Sequence, residues 1–336
     1  MIDFVPYFIA FLLSALTAWI VKNAAILDIP NGRSSHVQPT PRGGGLGIFT
    51  GFCIGLFLVA DFNPAASAAL AGITICAGLA ALIGLIDDVL TLSEKPKMFA
   101  LVLLSLALAA MAGPVTDLGY QLPWIIGLLG SALWVFTTAN AVNFMDGSDG
   151  LMVACLIPAS LALGFMGEGP VMVSSFVLAA ALAGFAVWNI PLLGKRGKLF
   201  AGDVGSLGAA FLFAGLALYW AHISPSGSVW LAPLLIMPLL ADVLLTMAAR
   251  FRARRRLFTA HRAHAYQLMI RMGASHAQVA GLWAGLSLGF GVLALIGHAG
   301  PMWVKPAVFL LGIAIAMILH RIVRNKARSA GLDVTG

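Results

Sequence analysis

Charge is what this chain has least of. Only 10% of its residues are Asp, Glu, Lys or Arg, where a soluble globular domain carries about a quarter. Hydrophobic residues make up 60%, and the mean hydropathy is +0.97. That much apolar sequence cannot be hidden inside the core of a 336-residue soluble protein, so it must face lipid. Cysteine is almost as scarce. Cys53, Cys76 and Cys155 each sit inside an apolar run, and an odd, dispersed set provides neither a disulfide framework nor metal-ligand spacing. They read as small core fillers. The chain also lacks a low-complexity segment, a clear internal repeat and any soluble domain. Its first apolar run, 5–21, has no basic segment before it and no clear small-residue cleavage site after it; it reads as a retained helix rather than a signal peptide.

A spanning helix takes about 20 apolar residues, with roughly 17 to 25 workable. Eleven segments qualify: 4–21, 45–60, 65–86, 98–115, 122–139, 151–167, 171–190, 205–222, 229–248, 278–297 and 303–320. The expected fold is therefore an all-α polytopic integral membrane protein. With the N-terminus outside and the spans alternating, every Lys and Arg except Lys305 falls in an inside loop or the tail. The positive-inside rule asks for that bias and puts the C-terminus in the cytoplasm. The formal net charge of +7 is thus explained by the membrane, and no nucleic acid is expected.

The inside loops are long and odd in composition. The third span ends in LIGLIDDVLTL, with Asp87 and Asp88 adjacent and Lys97 at the start of the next span. Neighbouring carboxylates repel, which favours a bound cation or a raised pKa on one of them. A polar helix end is the plainer explanation of the pair. In NAVNFMDGSDGL, Asn140 and Asn143 share a helical face. Asp146 and Asp149 follow at the same spacing, while Gly147 and Gly150 end the helix and let backbone approach a nucleotide. An elaborate turn between spans is the competing reading. In GKLFAGDVGSLGAAF, Asp203 lies between Gly202 and Gly205 where the eighth span begins. Free amides at a helix start suit anions. An Asp there repels a phosphate unless a divalent cation bridges them, which makes Asp203 the best candidate metal ligand; it can also cap the helix. The loop RFRARRRLFTAHRAHAYQ offers anionic-lipid contacts through its arginines. His261, Arg262 and His264 follow as donors for a pyrophosphate. The loop before the second span, from Asp28 to Phe49, holds Arg33, His36 and Arg42 for an anion.

These five stretches together resemble the polyprenyl-phosphate N-acetylhexosamine-1-phosphate transferase family, from about Asp28 to Gln267. The resemblance implies a single transmembrane transferase domain over 1–336, with its active site in cytoplasmic loops at a bacterial inner membrane. It implies transfer of a sugar 1-phosphate from a UDP-sugar to undecaprenyl phosphate, release of UMP, and a need for Mg2+. By the same resemblance Asp87, Asp88, Lys97 and His264 are catalytic. Asn140, Asp146, Gly147, Asp149, His261 and Arg262 bind substrate, and Asp203 with Asn143 holds the metal. The expected partners are undecaprenyl phosphate, a UDP-N-acetyl sugar and membrane lipid, with a homodimer an open expectation. Where several relatives carry further histidines, this chain has Tyr266 and Gln267. The triple His of the peptidoglycan phospho-MurNAc-pentapeptide translocase is absent, and HRAHAYQ is more similar to the branch that initiates O-antigen lipids. A membrane transporter is the non-enzyme alternative; it would hold its charges at the bilayer midplane in broken helices.

Overall fold

A computed structural model describes residues 4–24, 27–28, 39–90, 92–191, 196–256 and 261–335, with the backbone alone of Asp28. Arg33, His36 and Lys195 lie outside the described residues, as does the side chain of Asp28.

Long runs without interior charge fold as helices because, in lipid, only intrahelical hydrogen bonds satisfy the backbone. The described helices are α1 (Val5–Ala24), α2 (Gly45–Val59), α3 (Pro64–Leu90), α4 (Glu94–Ala112), α5 (Trp124–Met145), α6 (Leu151–Met166) and α7 (Gly169–Asn189). They continue with α8 (Gly202–Ile223), a four-residue α9 (Ala232–Leu235), α10 (Met237–Arg252), α11 (Ala265–Arg271), α12 (His276–Ala299) and α13 (Val304–Ser329). A two-residue antiparallel pairing, β1 (Leu27–Asp28) with β2 (Thr40–Pro41), precedes α2. Each of the eleven apolar segments has a helical counterpart. Among the described residues, eight helices are long and apolar enough to cross a membrane, while α2 and α6 are short apolar helices of 15 and 16 residues.

The expected continuous span over 229–248 is broken. The chain bends by 81° between the turn ending at Leu235 and α10. Pro233 and Pro238 flank the bend. Proline lacks the N–H an interior helical turn requires, and Ile236 between them leaves helical geometry at φ −120°, ψ 22°.

The centre of the bundle is α8, buried on every side from Val204 to Ala221. It packs on α3, α5 and α2. Small residues make those crossings close, as they do between helices in lipid. At the start of α8 a Cβ on Gly45 would lie 1.9 Å from the Cα of Gly205. Backbone hydrogen bonds hold the two helix starts together: Gly44 and Gly45 N–H donate to the carbonyls of Phe200 and Ala201, each at 3.0 Å, and Phe200 N–H donates to Pro41 at 2.9 Å. The least buried spans are α13, α1, α4 and α12. Their outward faces carry large apolar side chains, such as Phe8, Trp19, Leu288, Leu310 and Ile318, which suit hydrocarbon and not water.

Candidate active site

The polar motifs meet at one end of the bundle because that is where α3 ends, α4 begins, α5 ends, and α2 and α8 begin. The ammonium of Lys97 sits between two carboxylates. It donates to Asp87 Oδ2 at 2.7 Å and to Asp203. This joins the last turn of α3, the first turn of α4 and the first turn of α8. Asp88 points the other way. Its Oδ2 accepts the Val204 N–H at 3.2 Å, which satisfies a donor that α8 leaves unpaired at its start. Arg42 donates to the Asp88 carbonyl, and its guanidinium lies 3.7 Å from Asp88 Oδ1. Gly202 is required at this junction: it adopts φ +71°, and a Cβ there would lie 2.5 Å from Asp88 Oδ2.

Asp203 stands inside the first turn of α8 and does not cap it; Ala201 is the capping residue. With its carboxylate turned to Lys97, the N-cap reading of Asp203 does not hold. Asn143 accepts the Ser206 hydroxyl at 2.8 Å, so the end of α5 is tied to α8 one turn beyond Asp203. Asn140, one helical turn earlier, donates to the Phe136 carbonyl of its own helix at 2.7 Å.

Beyond Met145 the chain turns through Asp146–Gly150 into α6. Burial raises the Asp146 pKa well above the usual carboxylate value, and the charges of Asp203, Asp88 and Asp149 push the same way. Asp149 accepts Gly197 N–H at 2.9 Å. His276, at the start of α12, lies 2.9 Å from the Ser148 hydroxyl, and Asn189 receives Gly150 N–H at 3.0 Å. Gly147 lies against the Tyr266 hydroxyl, which a Cβ would approach to 2.3 Å.

Tyr266 connects this turn to the histidine loop. Its ring stacks on His264 with centroids 6.0 Å apart, and His264 in turn lies 4.9 Å from the His261 ring. Burial raises the Tyr266 hydroxyl above its ordinary range, with Asp242 and Asp146 adding to the rise. Burial lowers His261 to about 4, helped by His264 and Arg250. His261 is therefore a neutral donor or acceptor near pH 7 and not a cation. Arg262 is exposed at the edge of this cluster and accepts from Arg271 through its carbonyl.

Asp242, Thr246 and His320 also belong to this region, although the sequence motifs do not single them out. The one signal for Asp242 was a carboxylate inside an apolar segment, which is costly at membrane depth. Arg42, which the sequence groups with Arg33 and His36 as an anion contact, lies against Asp88.

Among the described residues, no three His, Cys, Asp or Glu side chains converge as a metal site. A magnesium ion asks for less: one or two carboxylates, with the other positions filled by phosphate and water. The carboxyl groups of Asp87, Asp88, Asp146, Asp149 and Asp203 outnumber Lys97 and Arg42, the cations that pair with Asp87, Asp88 and Asp203. All their donor atoms are hard oxygens, so the chemistry of the set fits such an ion.

The fold and site define a polytopic membrane protein with a carboxylate and lysine centre at one end of its helix bundle. Residues 70–221, which carry three of the five motifs, match the model of glycosyl transferase family 4. The chain is 30% identical over 331 residues to the undecaprenyl-phosphate alpha-N-acetylglucosaminyl 1-phosphate transferase of Yersinia pestis, covering 91% of this chain and 88% of that protein. It is 29% identical to the protein of the same description from Escherichia coli strain K12, over 93% of this chain and 91% of the relative. A probable undecaprenyl-phosphate N-acetylglucosaminyl 1-phosphate transferase of Bacillus subtilis strain 168 is 25% identical over 94% of this chain and 91% of its own length. The chain belongs to glycosyl transferase family 4.

Proposed function

We propose that this protein transfers N-acetylglucosamine 1-phosphate, or a closely related N-acetylated sugar 1-phosphate, from its UDP-sugar to undecaprenyl phosphate. UMP is released, and the product starts a lipid-linked surface glycan of the O-antigen type. The observation that carries this reading is the Lys97 bridge between Asp87 and Asp203 at the polar end of an apolar bundle. A water-soluble anionic donor and a lipid-borne anionic acceptor can meet there. Likeness to the N-acetylglucosaminyl 1-phosphate transferases over nine-tenths of the chain supports the choice of sugar. We further read the chain as one domain with eleven membrane-embedded segments, two of them short and one bent. Its N-terminus is outside, and its site faces the cytoplasm of a bacterial inner membrane.

In this reading an oxygen of the lipid phosphate attacks the sugar-bearing phosphorus of the donor. A new P–O bond forms there, and the bond to the bridging oxygen breaks, so the electron pair leaves with UMP. Two anions must approach, and neutralising their charge is most of the catalysis. Lys97 is the nearest cation, held ready between Asp87 and Asp203. On substrate binding its ammonium exchanges one carboxylate for a phosphate oxygen. Asp203 and Asn143 would hold magnesium, which supplies charge neutralisation at the pyrophosphate. The amide oxygen of Asn143 has a second lone pair beyond the one given to Ser206. Asp87 either takes a proton from the lipid phosphate or attacks first itself. Asp146, Asp149 and the Gly147 turn, faced by Tyr266, would receive the nucleotide, while His264 and Arg262 would bind phosphate.

The concentration of ionised groups at helix ends, rather than at mid-helix, favours this enzyme over a transporter. The test is UMP release by purified protein given undecaprenyl phosphate, Mg2+ and single UDP-N-acetyl sugars. Release that requires both lipid and metal supports the reaction, and the best donor identifies the sugar. No release from folded protein with any donor overturns it.

A further inference from the structure

Asp242 is the most enclosed carboxylate in the neighbourhood of the site, and the described contacts of its two oxygens are with protein groups. Oδ1 accepts Ala265 N–H at 2.7 Å and the Thr246 hydroxyl at 3.2 Å; Oδ2 accepts Tyr266 N–H at 3.2 Å. Two imidazoles face the same Oδ1. His264 Nδ1 lies 3.5 Å away, and His320 Nε2, reaching over from the last helix α13, lies 3.9 Å away. All three side chains are less than a tenth exposed. Thr246 ties the second imidazole in, since its oxygen is also 3.2 Å from His320 Nε2. A hydroxyl has one proton. Thr246 gives that proton to Asp242, so it must accept from His320, and His320 therefore carries hydrogen on Nε2.

We propose that His320 is a positioning residue, the outer member of a His320–Thr246–Asp242–His264 chain that orients His264 for the transfer reaction proposed above. The geometry gives each member a task. Asp242 Oδ1 is the carboxylate oxygen that faces His264 Nδ1, at 3.5 Å, and an Nδ1–H directed at it would leave Nε2 for substrate. The same carboxylate binds the two amides that follow His264, so the ring and its backbone are held as one unit. Two contacts with Oδ1 are long, at 3.5 and 3.9 Å. The amides of Ala265 and Tyr266 each hold one oxygen, Thr246 adds a second donor on Oδ1, the oxygen that faces His264, and His320 fixes the direction in which the Thr246 hydroxyl points. Neither Asp242 nor His320 lies in the segment 70–221 matched to the family.

The test combines kinetics with a spectroscopic readout. His320→Leu should lower kcat for UMP release about tenfold, the scale expected when a reacting group is misplaced but present, while the KM for the UDP-sugar changes less than about twofold. His320→Gln, whose amide can donate to Thr246, should recover most of the rate. In a His264→Ala background, His320→Leu should cost nothing further, because it acts only through His264. An unchanged kcat in His320→Leu, or a full additive loss in the His264→Ala background, overturns the proposal. In protein labelled with 15N-histidine, the His264 ring signals, identified by their loss in His264→Ala, should report an Nδ1–H tautomer. They should shift in both His320→Leu and Asp242→Asn; signals unmoved by His320→Leu also overturn it. This second readout does not need turnover. Wild-type protein inactive with every donor, but showing the shift, would refute the transfer reaction and leave the positioning chain standing.

Discussion

Lys97 holds two carboxylates from two different helices, and this is the main constraint on chemistry at the residue scale. A lysine so placed keeps Asp87 and Asp203 close in the absence of substrate and is available to phosphate when substrate arrives. If Asp203 is also a metal ligand, Asp203→Asn should lose at least about a hundredfold in kcat, the scale seen when a transition-state charge stabiliser is removed. The residual rate should no longer rise with added Mg2+; a titration of UMP release against Mg2+ checks both. Asp146 makes a different prediction. Its folded pKa is raised, first by burial and then by Asp203, Asp88 and Asp149. Between the ordinary value of 3.8 and that raised value, the folded protein keeps a proton that the unfolded chain has released. Stability therefore falls as pH rises through this window. Asp146→Asn should melt higher than wild type at pH 8, and by a smaller margin at pH 5, while losing activity at both. Thermal unfolding in detergent at the two pH values measures the sign. At this scale the motif residues were legible because charge is so sparse in the chain that each cluster stands out. Asp242 and His320 were not, since Asp242 stands alone in an apolar stretch, His320 merges with the basic tail that begins at Arg321, and only packing of α10 against α13 brings them together.

Helix positions follow from hydropathy, but helix contacts do not. Each apolar segment has a helix in its place, because a run of that length in lipid has no other way to satisfy its backbone, but α5 runs on to Met145, α13 runs on to Ser329, and 229–248 breaks at Ile236. The bend between α9 and α10 was written in Pro233 and Pro238, yet average hydropathy does not register proline. The central place of α8 was also hidden: a helix apolar on all sides has no stripe to show which neighbours it meets. Its neighbours are set by glycines. A Cβ on Gly84 of α3 would lie 2.3 Å from the Asp203 carbonyl and 2.5 Å from Val204 N, so this glycine fixes the approach of α3 to the turn that carries Asp203. Gly84→Ala must push the two backbones apart, because the atoms it meets are main chain. It should destabilise the protein by about 1–3 kcal/mol, as overpacking does. It should also lower activity more than tenfold by moving Asp88 from Val204 and Asp87 from Lys97. Melting temperature and UMP release measured on the same preparation test this; an active, equally stable Gly84→Ala protein contradicts the close crossing.

At the scale of the whole molecule, the two ends of the bundle differ in kind. The site end joins Asp87, Lys97, Asp146 and Asp203. It also gathers the arginine loop and the tail: Arg250 donates to the carbonyls of Thr335 and Arg256, and Arg255 lies 3.5 Å from Asp333. The other end is small and self-contained. There Asp117 accepts from Ser226 at 2.8 Å, and Lys305 donates to the Ser226 carbonyl and the Ser228 hydroxyl, each at 3.0 Å. Lys305 is also the one basic residue that the positive-inside rule leaves on the outer side. Its hydrogen bonds and low exposure remove it from the charges that would compete for orientation. The tail and the site should therefore share the cytoplasmic face. After replacement of Cys53, Cys76 and Cys155, Tyr120→Cys should react with a membrane-impermeant maleimide in intact cells, and Arg328→Cys only after the cells are opened. Both positions are exposed, so a failure to label reports the membrane barrier and not burial. The reverse pattern would put the carboxylate and lysine centre on the outer face, away from cytoplasmic nucleotide sugars, and would refute a UDP-sugar as the donor even if the fold were unchanged.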